Sequence, residues 1–568
     1  MAKDKITTSS TAEYFSKNLQ QVGFSSATKA VLTTLKEAID NSLDACEDAG
    51  ILPELNVEIE KKGAGTLRNT DLIRIKVEDN GPGLDLDDVP KVFGEYLASS
   101  KFGRGRCSRG QQGIGISAAT TWAQLTSARG AFVTTKTKRM RNAVSMVVNV
   151  DIRHNKGLVK NKESLSKWDR QHGLSVEFLI DGRVQLNGEG GLLTYLQGTT
   201  LVNPHLTMSY KLPDQEKVVI KRVDETSPQV PDATMPHPHT MKLGEFIHHS
   251  HLFGTIALKS WLKKGFTRVS DNIIDQMVKH GLKKEYLAKP VNKLSQSEMK
   301  EVFAAVQKTE LMAPTTRSVM TIGEAPLALS IRRMGEIDFF SVVTRKPKIC
   351  DSKPVAIEVA IARFLDRQGP RDEEDSAPVT VLRFANRVPL QFDKSACAVV
   401  RAIETVNWRS YGISQRTNNL PLGPYVFAVS VVSPFIKCKN ASKETIDASD
   451  ELVEEIRRAL MQAGQRLSRH IRREKKADDL ERKKEHIEQF GPILVSALCR
   501  IVKAPVKRKK QATEGLVKLL GRELSQAKEQ LVQAEVEVKK VVAQREKRIG
   551  KGKSKKDNDA DGDAEAEA

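Results

Sequence analysis

A chain of 568 residues is several times the length of a typical domain, which excludes a lone binding module and predicts several cores in series. Hydrophobic residues make up 39% and charged residues 29%, and no apolar run approaches the roughly 20 residues a bilayer-crossing helix needs, so a folded bulk without a membrane-spanning helix is expected. Lys and Arg number 91 against 71 Asp and Glu, and the resulting +20 makes a field that draws polyanions, nucleic acid first among them. Aromatics are 5%, so phosphate contact by Lys and Arg is expected rather than base stacking. The opening Met1-Ala2-Lys3-Asp4-Lys5 mixes charges without an apolar stretch after it, which predicts retention in the compartment of synthesis. Six scattered cysteines, none in a close pair, argue against a disulfide framework or a thiolate zinc site.

In chain order, helical periodicity opens at Ala30, Val31, Thr34, Leu35, Ala38, Ile39 and Leu43. Strand-like runs follow at Asn56 to Ile59, Leu72 to Val77, Ala143 to Val148 and Leu174 to Phe178, so helices and strands share one core through about residue 225. Four prolines between Ser227 and Pro238 mark a linker. Short basic-edged helices are expected over 240–306. Strands return at Val379 to Phe384 and Tyr425 to Val432, and then a long helix is expected from Ser449 to Arg473. Heptad spacing at Val517, Leu520, Leu524, Ala527, Leu531, Ala534, Val538 and Val541 suits either a coiled coil or a helix docked on its own chain. The tail from Asp557 carries six acids and no bases, a composition that does not order itself. The histidines at 237, 239, 248, 249 and 251 read as surface linker, and the basic run Lys503 to Lys510 reads equally as solvated chain or as a salt-dependent DNA contact.

Three separated motifs carry chemistry. In Glu37-Ala38-Ile39-Asp40-Asn41-Ser42-Leu43-Asp44, the helical period places Glu37, Asn41 and Asp44 on one face. An amide oxygen is a hard ligand suited to Mg²⁺, and a carboxylate one turn away can polarise a water, although such a pattern alone is also ordinary helix surface. Glu78-Asp79-Asn80-Gly81-Pro82-Gly83 leaves a strand sharply, either as a simple turn or so that Asp79 can accept from an exocyclic amine such as that of adenine. Glycines 110, 113 and 115 precede the helical run Ser117 to Ala123, a loop whose amides can surround phosphate oxygens at a helix N-terminus; no Lys-Thr pair follows, so it is not a Walker loop.

The order of these motifs resembles the GHKL ATPases, and Ser108 to Ser117, Arg383 to Leu390, Leu201 to His205 and Ile322-Gly323-Glu324 resemble the B subunits of type IIB topoisomerases, the topoisomerase VI family. The resemblance implies a multidomain α+β fold: an N-terminal strap over 1–25, a GHKL (Bergerat) α/β sandwich ATPase over 26–226, a helical helix-two-turns-helix insert over 227–306, an α/β transducer domain over 307–475 with a long C-terminal helix, a charged helical extension over 476–550 and a disordered tail over 551–568. It implies Glu37 as general base, Asn41 as the Mg²⁺ ligand and Asp79 as the adenine reader. Ser100, Lys101 and the loop of Arg109, Gly110, Gln111, Gln112, Gly113, Ile114, Gly115 and Ile116 close over the ATP triphosphate. Lys443, with Lys437 and Lys439 as neighbours, is the transducer lysine reaching the γ-phosphate. The family usually has threonine where this chain has Leu174, and Ser175 should face the opposite side of its strand.

By the same resemblance, ATP and Mg²⁺ are the cofactors, and ATP closes a homodimer that gates passage of one DNA duplex through another. Double-strand breaks come from a separate A subunit in a heterotetramer of two A and two B chains, and the outcome is relaxation of supercoils and decatenation. No membrane is involved. The expected place is the cytoplasm, on the nucleoid, or the nucleus of a eukaryote. A DNA-binding scaffold without turnover and an ATP-gated chaperone are the rival readings.

Overall fold

The computed structural model describes residues 8–99, 105, 107–110, 112–231, 234–351, 353–365, 377–417, 419–439, 444–516 and 518. The chain divides into two compact units, Met1–Arg469 and His470–Ala568.

The first unit opens with α1 (Thr11–Lys17), where the Ser10 hydroxyl accepts from Glu13 N at 3.0 Å. The longer α2 (Ala27–Asp48) starts at Ser26, whose hydroxyl accepts from Lys29 N. Its Val31, Leu35, Ala38, Ile39 and Leu43 recur every three or four residues and are all buried, so one stripe of this helix drives it onto a sheet. That sheet is made by β1 (Glu54–Ala64), β2 (Asp71–Glu78), β3 (Ala131–Lys136), β4 (Ala143–Asp151), β5 (Lys156–Leu165), β6 (Gly173–Gly182), β7 (Thr207–Lys211) and β8 (Val218–Ile220), in the order β5-β4-β3-β6-β2-β1-β7-β8. It is mixed: β1 runs antiparallel to β2 and parallel to β7. Three further helices belong to it, α3 (Val89–Gly94), α4 (Gly115–Ser127) and α5 (Leu192–Val202), and α2 and α4 pack on each other and on β6.

Residues 8–25 pack into the core of their own chain. Ala12, Leu19, Val22 and Phe24 are buried there and Phe15 stacks on Tyr96 at 5.3 Å.

A helical insert follows the proline-rich coil, with α6 (Leu243–His251), α7 (Leu258–Gly265), α8 (Asp271–Lys279) and α9 (Gln296–Lys308) around a separate core of Phe246, Trp261, Leu262, Met277 and Val302. The chain then forms α10 (Glu324–Arg332), β9 (Ile337–Thr344), β10 (Lys348–Cys350), β11 (Lys353–Phe364), β12 (Thr380–Ala385), β13 (Val388–Pro389), α11 (Ala398–Thr405) and β14 (Tyr425–Val432). These strands make a second sheet, β10-β11-β14-β12-β13, with β9 also on β11. Every residue of β14 is buried, which explains a sequence apolar throughout except for Ser430.

The last helix, α12 (Asp450–Ile501), continues well past the expected end at Arg473 and contains Pro492. In the second unit the described residues are the remainder of α12 and a further helical stretch over 506–516. The heptad positions from Val517 and the acidic tail lie outside the described residues. Among the described residues no helix is long and apolar enough to cross a membrane.

Candidate active site

The Asp79 turn is built by the strand before it. Val77 is held in register between Val57 of β1 and Val176 of β6, so the chain leaves β2 with Asp79 beside α2 and β6. Asp79 is 3% exposed. Its carboxylate accepts from Ser42 Oγ at 2.7 Å, from Gly81 N at 2.9 Å and from Leu174 N at 3.1 Å. Burial raises its pKa, against the lowering effect of those three bonds. Gly83, at φ +73°, lies so near Lys136 O that a Cβ would stand 2.4 Å from it, so the exit turn admits only glycine.

Asp79 faces a cavity of about 190 Å³, lined also by Asn41, Ser42, Gly83, Ile116, Leu174 and Val176. Asn41 and Asp79, far apart in sequence, thus share one chamber with the end of the glycine loop. Leu174 and Val176 lie on the chamber side of β6, whereas Ser175 between them is buried and not among the lining residues. This alternation is the one expected of a strand, with Ser175 facing away from Leu174.

Glu37 lines a second cavity, of about 520 Å³, between α2, the glycine loop and the β12–β13 hairpin. Its other walls include Lys36, Asp40, Ser108, Gln112, Asn386, Lys437 and Lys439. Helix α4 starts at Gly115, and Ile114, its N-cap, supplies no capping oxygen from its side chain. The start of α4, where an anion is electrostatically favoured, is set directly against Glu37, whose Oε2 would lie 2.0 Å from a Cβ on Gly115. Gly113 takes φ +60°, and Leu97 N donates to Gly113 O at 2.8 Å, which fixes the turn into the helix.

Helical spacing put Glu37, Asn41 and Asp44 on one face; the structure gives each a different neighbour. Glu37 lines the larger cavity and Asn41 the smaller one, while Asp44 is buried in an ion cluster with Arg109. Arg109 also lines the Glu37 cavity, and its guanidinium donates to Asp44 Oδ1 at 2.8 Å, to Glu47 at 2.9 and 2.7 Å and to Asn203 Oδ1 at 2.6 Å. Arg387 and His205 bond the same Glu47 carboxylate, at 2.5 and 2.8 Å. Burial alone would raise the Glu47 pKa, but Arg109 and Arg387 outweigh it and hold the carboxyl well below its usual range. Burial lowers the pKa of His205, against the raising effect of its bond to Glu47.

Ser100, Lys101, Gln111 and Lys443 lie outside the described residues. Gly110, Gln112, Gly113, Ile114, Gly115 and Ile116 all fall on the loop and the start of α4. Sequence reasoning missed Asp40, Glu47, Asn203, His205 and Arg387. The signal for the acids was present, since Asp40, Asp44 and Glu47 continue the α2 face at steps of four and three.

The family model of the histidine kinase-, DNA gyrase B- and HSP90-like ATPases matches residues 27–153, and that of the topoisomerase VI B subunit transducer matches residues 314–483. The type 2 DNA topoisomerase 6 B subunit of Archaeoglobus fulgidus is 35% identical over 494 residues, covering 87% of this chain and 79% of that one. Its counterpart in Methanococcoides burtonii is 34% identical over 466 residues, covering 82% and 72%. Among solved structures, the ATPase region of Saccharomyces cerevisiae topoisomerase II matches at 9% identity with a TM-score of 0.39, over 83% of this chain and 99% of that one.

Proposed function

The chain belongs to the family of type 2 DNA topoisomerase 6 B subunits, and on that premise we propose that it binds ATP between α2, the Asp79 turn and the glycine loop and hydrolyses it to drive DNA passage. One observation carries this reading: a single helix delivers Glu37 and Asn41 to the walls of two cavities, one holding the buried Asp79 carboxylate and the other walled by Ser108, Arg109 and Gln112 of the loop. In it, Asp79 accepts from the exocyclic amine of adenine. Amides of Gly113 to Ile116 at the start of α4 take phosphate oxygens. Glu37 accepts a proton from the attacking water, a role for which its half-buried place beside Gly115 suits it.

Asn41 fits a hard cation, being an uncharged amide on the wall of the chamber that holds Asp79; it would hold Mg²⁺, which when bound offsets phosphate charge. Ser100, Lys101, Gln111 and Lys443 enter the reading by family resemblance. Lys437 and Lys439, which line the Glu37 cavity together with Lys36, are alternative donors to the terminal phosphate.

ATP-dependent pairing of two such chains gates a duplex, and a separate A subunit makes the double-strand break, in a heterotetramer that relaxes supercoils and decatenates DNA on the chromosome. The net charge of +20 supports duplex binding. The test is reconstitution with an A subunit and supercoiled DNA. Relaxation that needs ATP, needs the A subunit and fails with Glu37→Ala is the expected outcome. ATP-independent relaxation, or full activity in the variant, would remove the site from the reaction. A scaffold that has lost turnover is disfavoured by Glu37, Asn41 and Asp79 all standing on cavity walls.

A further inference from the structure

The hairpin between β12 and β13 has a two-residue tip, Asn386-Arg387, with Phe384 opposite Pro389 and Ala385 opposite Val388. Both tip residues have positive φ, +48° and +63°. Glycine or asparagine is favoured at such positions, and arginine is held there at a conformational cost. Strain of this kind persists where surrounding contacts over-determine it.

Here those contacts reach across to α2, to the end of α5 and to the glycine loop. Arg387 is 4% exposed, and its Nη2 donates to Glu47 Oε2 at 2.5 Å. Asn203 Nδ2 donates to Arg387 O at 3.2 Å. Asn386 Nδ2 donates to Ser108 O at 3.4 Å, on the residue that opens the glycine loop, and Asn386 Oδ1 accepts from Ser433 N at 2.9 Å. The next loop residues turn to α2: Arg109 N and Gly110 N both donate to the Asp44 carboxylate, at 3.4 and 3.3 Å. The two carboxylates Asp44 and Glu47 are met by the two guanidiniums of Arg109 and Arg387. Withdrawal of the hairpin takes one guanidinium from these buried carboxylates, so the cluster is complete only while loop, helix and hairpin are docked together.

We propose that Arg387 is a positioning residue for ATP turnover: by completing the charge cluster on Glu47 it locks the start of the glycine loop to the helix that carries Glu37, and so ties the loop to the second sheet. Nucleotide held by the loop is then felt at the hairpin, and displacement of the hairpin loosens the loop. The inference rests on the nucleotide reading given above.

The test uses the full chain and compares Arg387→Gly with Arg387→Lys. Glycine is the residue that suits the turn best, so a merely conformational role predicts unchanged or improved behaviour. The proposal instead expects kcat to fall about tenfold or more in Arg387→Gly while KM for ATP moves less than about threefold, because the adenine chamber is untouched. Lysine keeps the charge without the planar fork and should restore part of kcat. Hydrogen exchange of residues 383–390 should slow when a non-hydrolysable ATP analogue binds the wild type, and that slowing should vanish in Arg387→Gly. Wild-type kcat with unchanged analogue-induced protection in Arg387→Gly overturns the inference, as does a loss of kcat that merely tracks a lowered melting temperature. If the wild type binds no analogue, the nucleotide reading itself falls, and this inference with it.

Discussion

A Cβ built on Gly115 would stand 2.0 Å from Glu37 Oε2. The obstacle is the far end of a flexible side chain rather than backbone, so Gly115→Ala should fold normally and displace the Glu37 carboxylate instead. For a general base, misplacement of about 1 Å costs on the order of 100-fold, and we expect kcat for ATP hydrolysis to drop by roughly 10- to 100-fold with KM little changed. Glu37→Gln should lose more, about 10²- to 10⁴-fold. Steady-state ATPase assays on both variants decide the matter; an unaltered kcat in Gly115→Ala would mean that the carboxylate does not act from where it stands.

Leu174 presents an apolar side chain to the chamber that holds Asp79, at a position where the family usually has threonine. Its backbone N–H bond to Asp79 survives substitution, and threonine suits a strand, so Leu174→Thr should fold. A new hydroxyl contact near the base is worth about 0.5–1.5 kcal/mol, so nucleotide Kd should tighten by roughly two- to tenfold in a fluorescent-analogue titration. Weaker binding would show that the chamber grips the ligand through apolar contact with Leu174.

Much of this site is legible in the order of residues alone. Glu37 and Asn41 are marked by helical period, Asp79 by its strand and its two following glycines, and the loop by glycines ahead of an apolar helix. What pattern does not show is partnership. Arg109 sits in a stretch that reads as a phosphate grip, and only the fold reveals Asp44 and Glu47 waiting for its guanidinium. The edge strand β5 escapes notice because it is polar along most of its length, and β11 because its burial on both faces, with Pro354 near its start, obscures any alternation. The expected end of α12 at Arg473 follows the loss of apolar period, yet the helix continues as a mostly exposed one.

Asp40 makes stability depend on pH. It lines the Glu37 cavity at 5% exposure, with the Tyr195 hydroxyl donating to it at 3.4 Å. Burial pushes its pKa up to about 7 from 3.8; Lys36 pulls it down and Glu37 pushes it up, to a lesser degree. Between these values the folded chain holds a proton that the unfolded chain has released. Stability from this group is therefore full below about pH 4 and declines as pH rises through the folded value near 7. The decline corresponds to at most roughly 4 kcal/mol. Asp40→Asn should flatten this part of the profile and be more stable than wild type at pH 8, read as urea midpoints across pH 5–8. A variant profile parallel to wild type would show that Asp40 titrates in its ordinary range.

Arg109 separates two roles that make opposite predictions. As a phosphate contact, its loss would weaken nucleotide binding and leave the nucleotide-free protein intact. As the centre of the buried cluster, its loss leaves Asp44 and Glu47 facing Arg387 alone, and breaking such a cluster costs about 3–5 kcal/mol. We expect Arg109→Met to lower the nucleotide-free unfolding free energy by that amount in urea. Adding Asp44→Asn removes the surplus negative charge, so the double variant should recover part of the loss and give a coupling energy above about 1 kcal/mol. Additive losses in the cycle would mean that Asp44 and Arg109 do not stabilise each other, and normal nucleotide-free stability with lost ATP binding would return the guanidinium to the triphosphate.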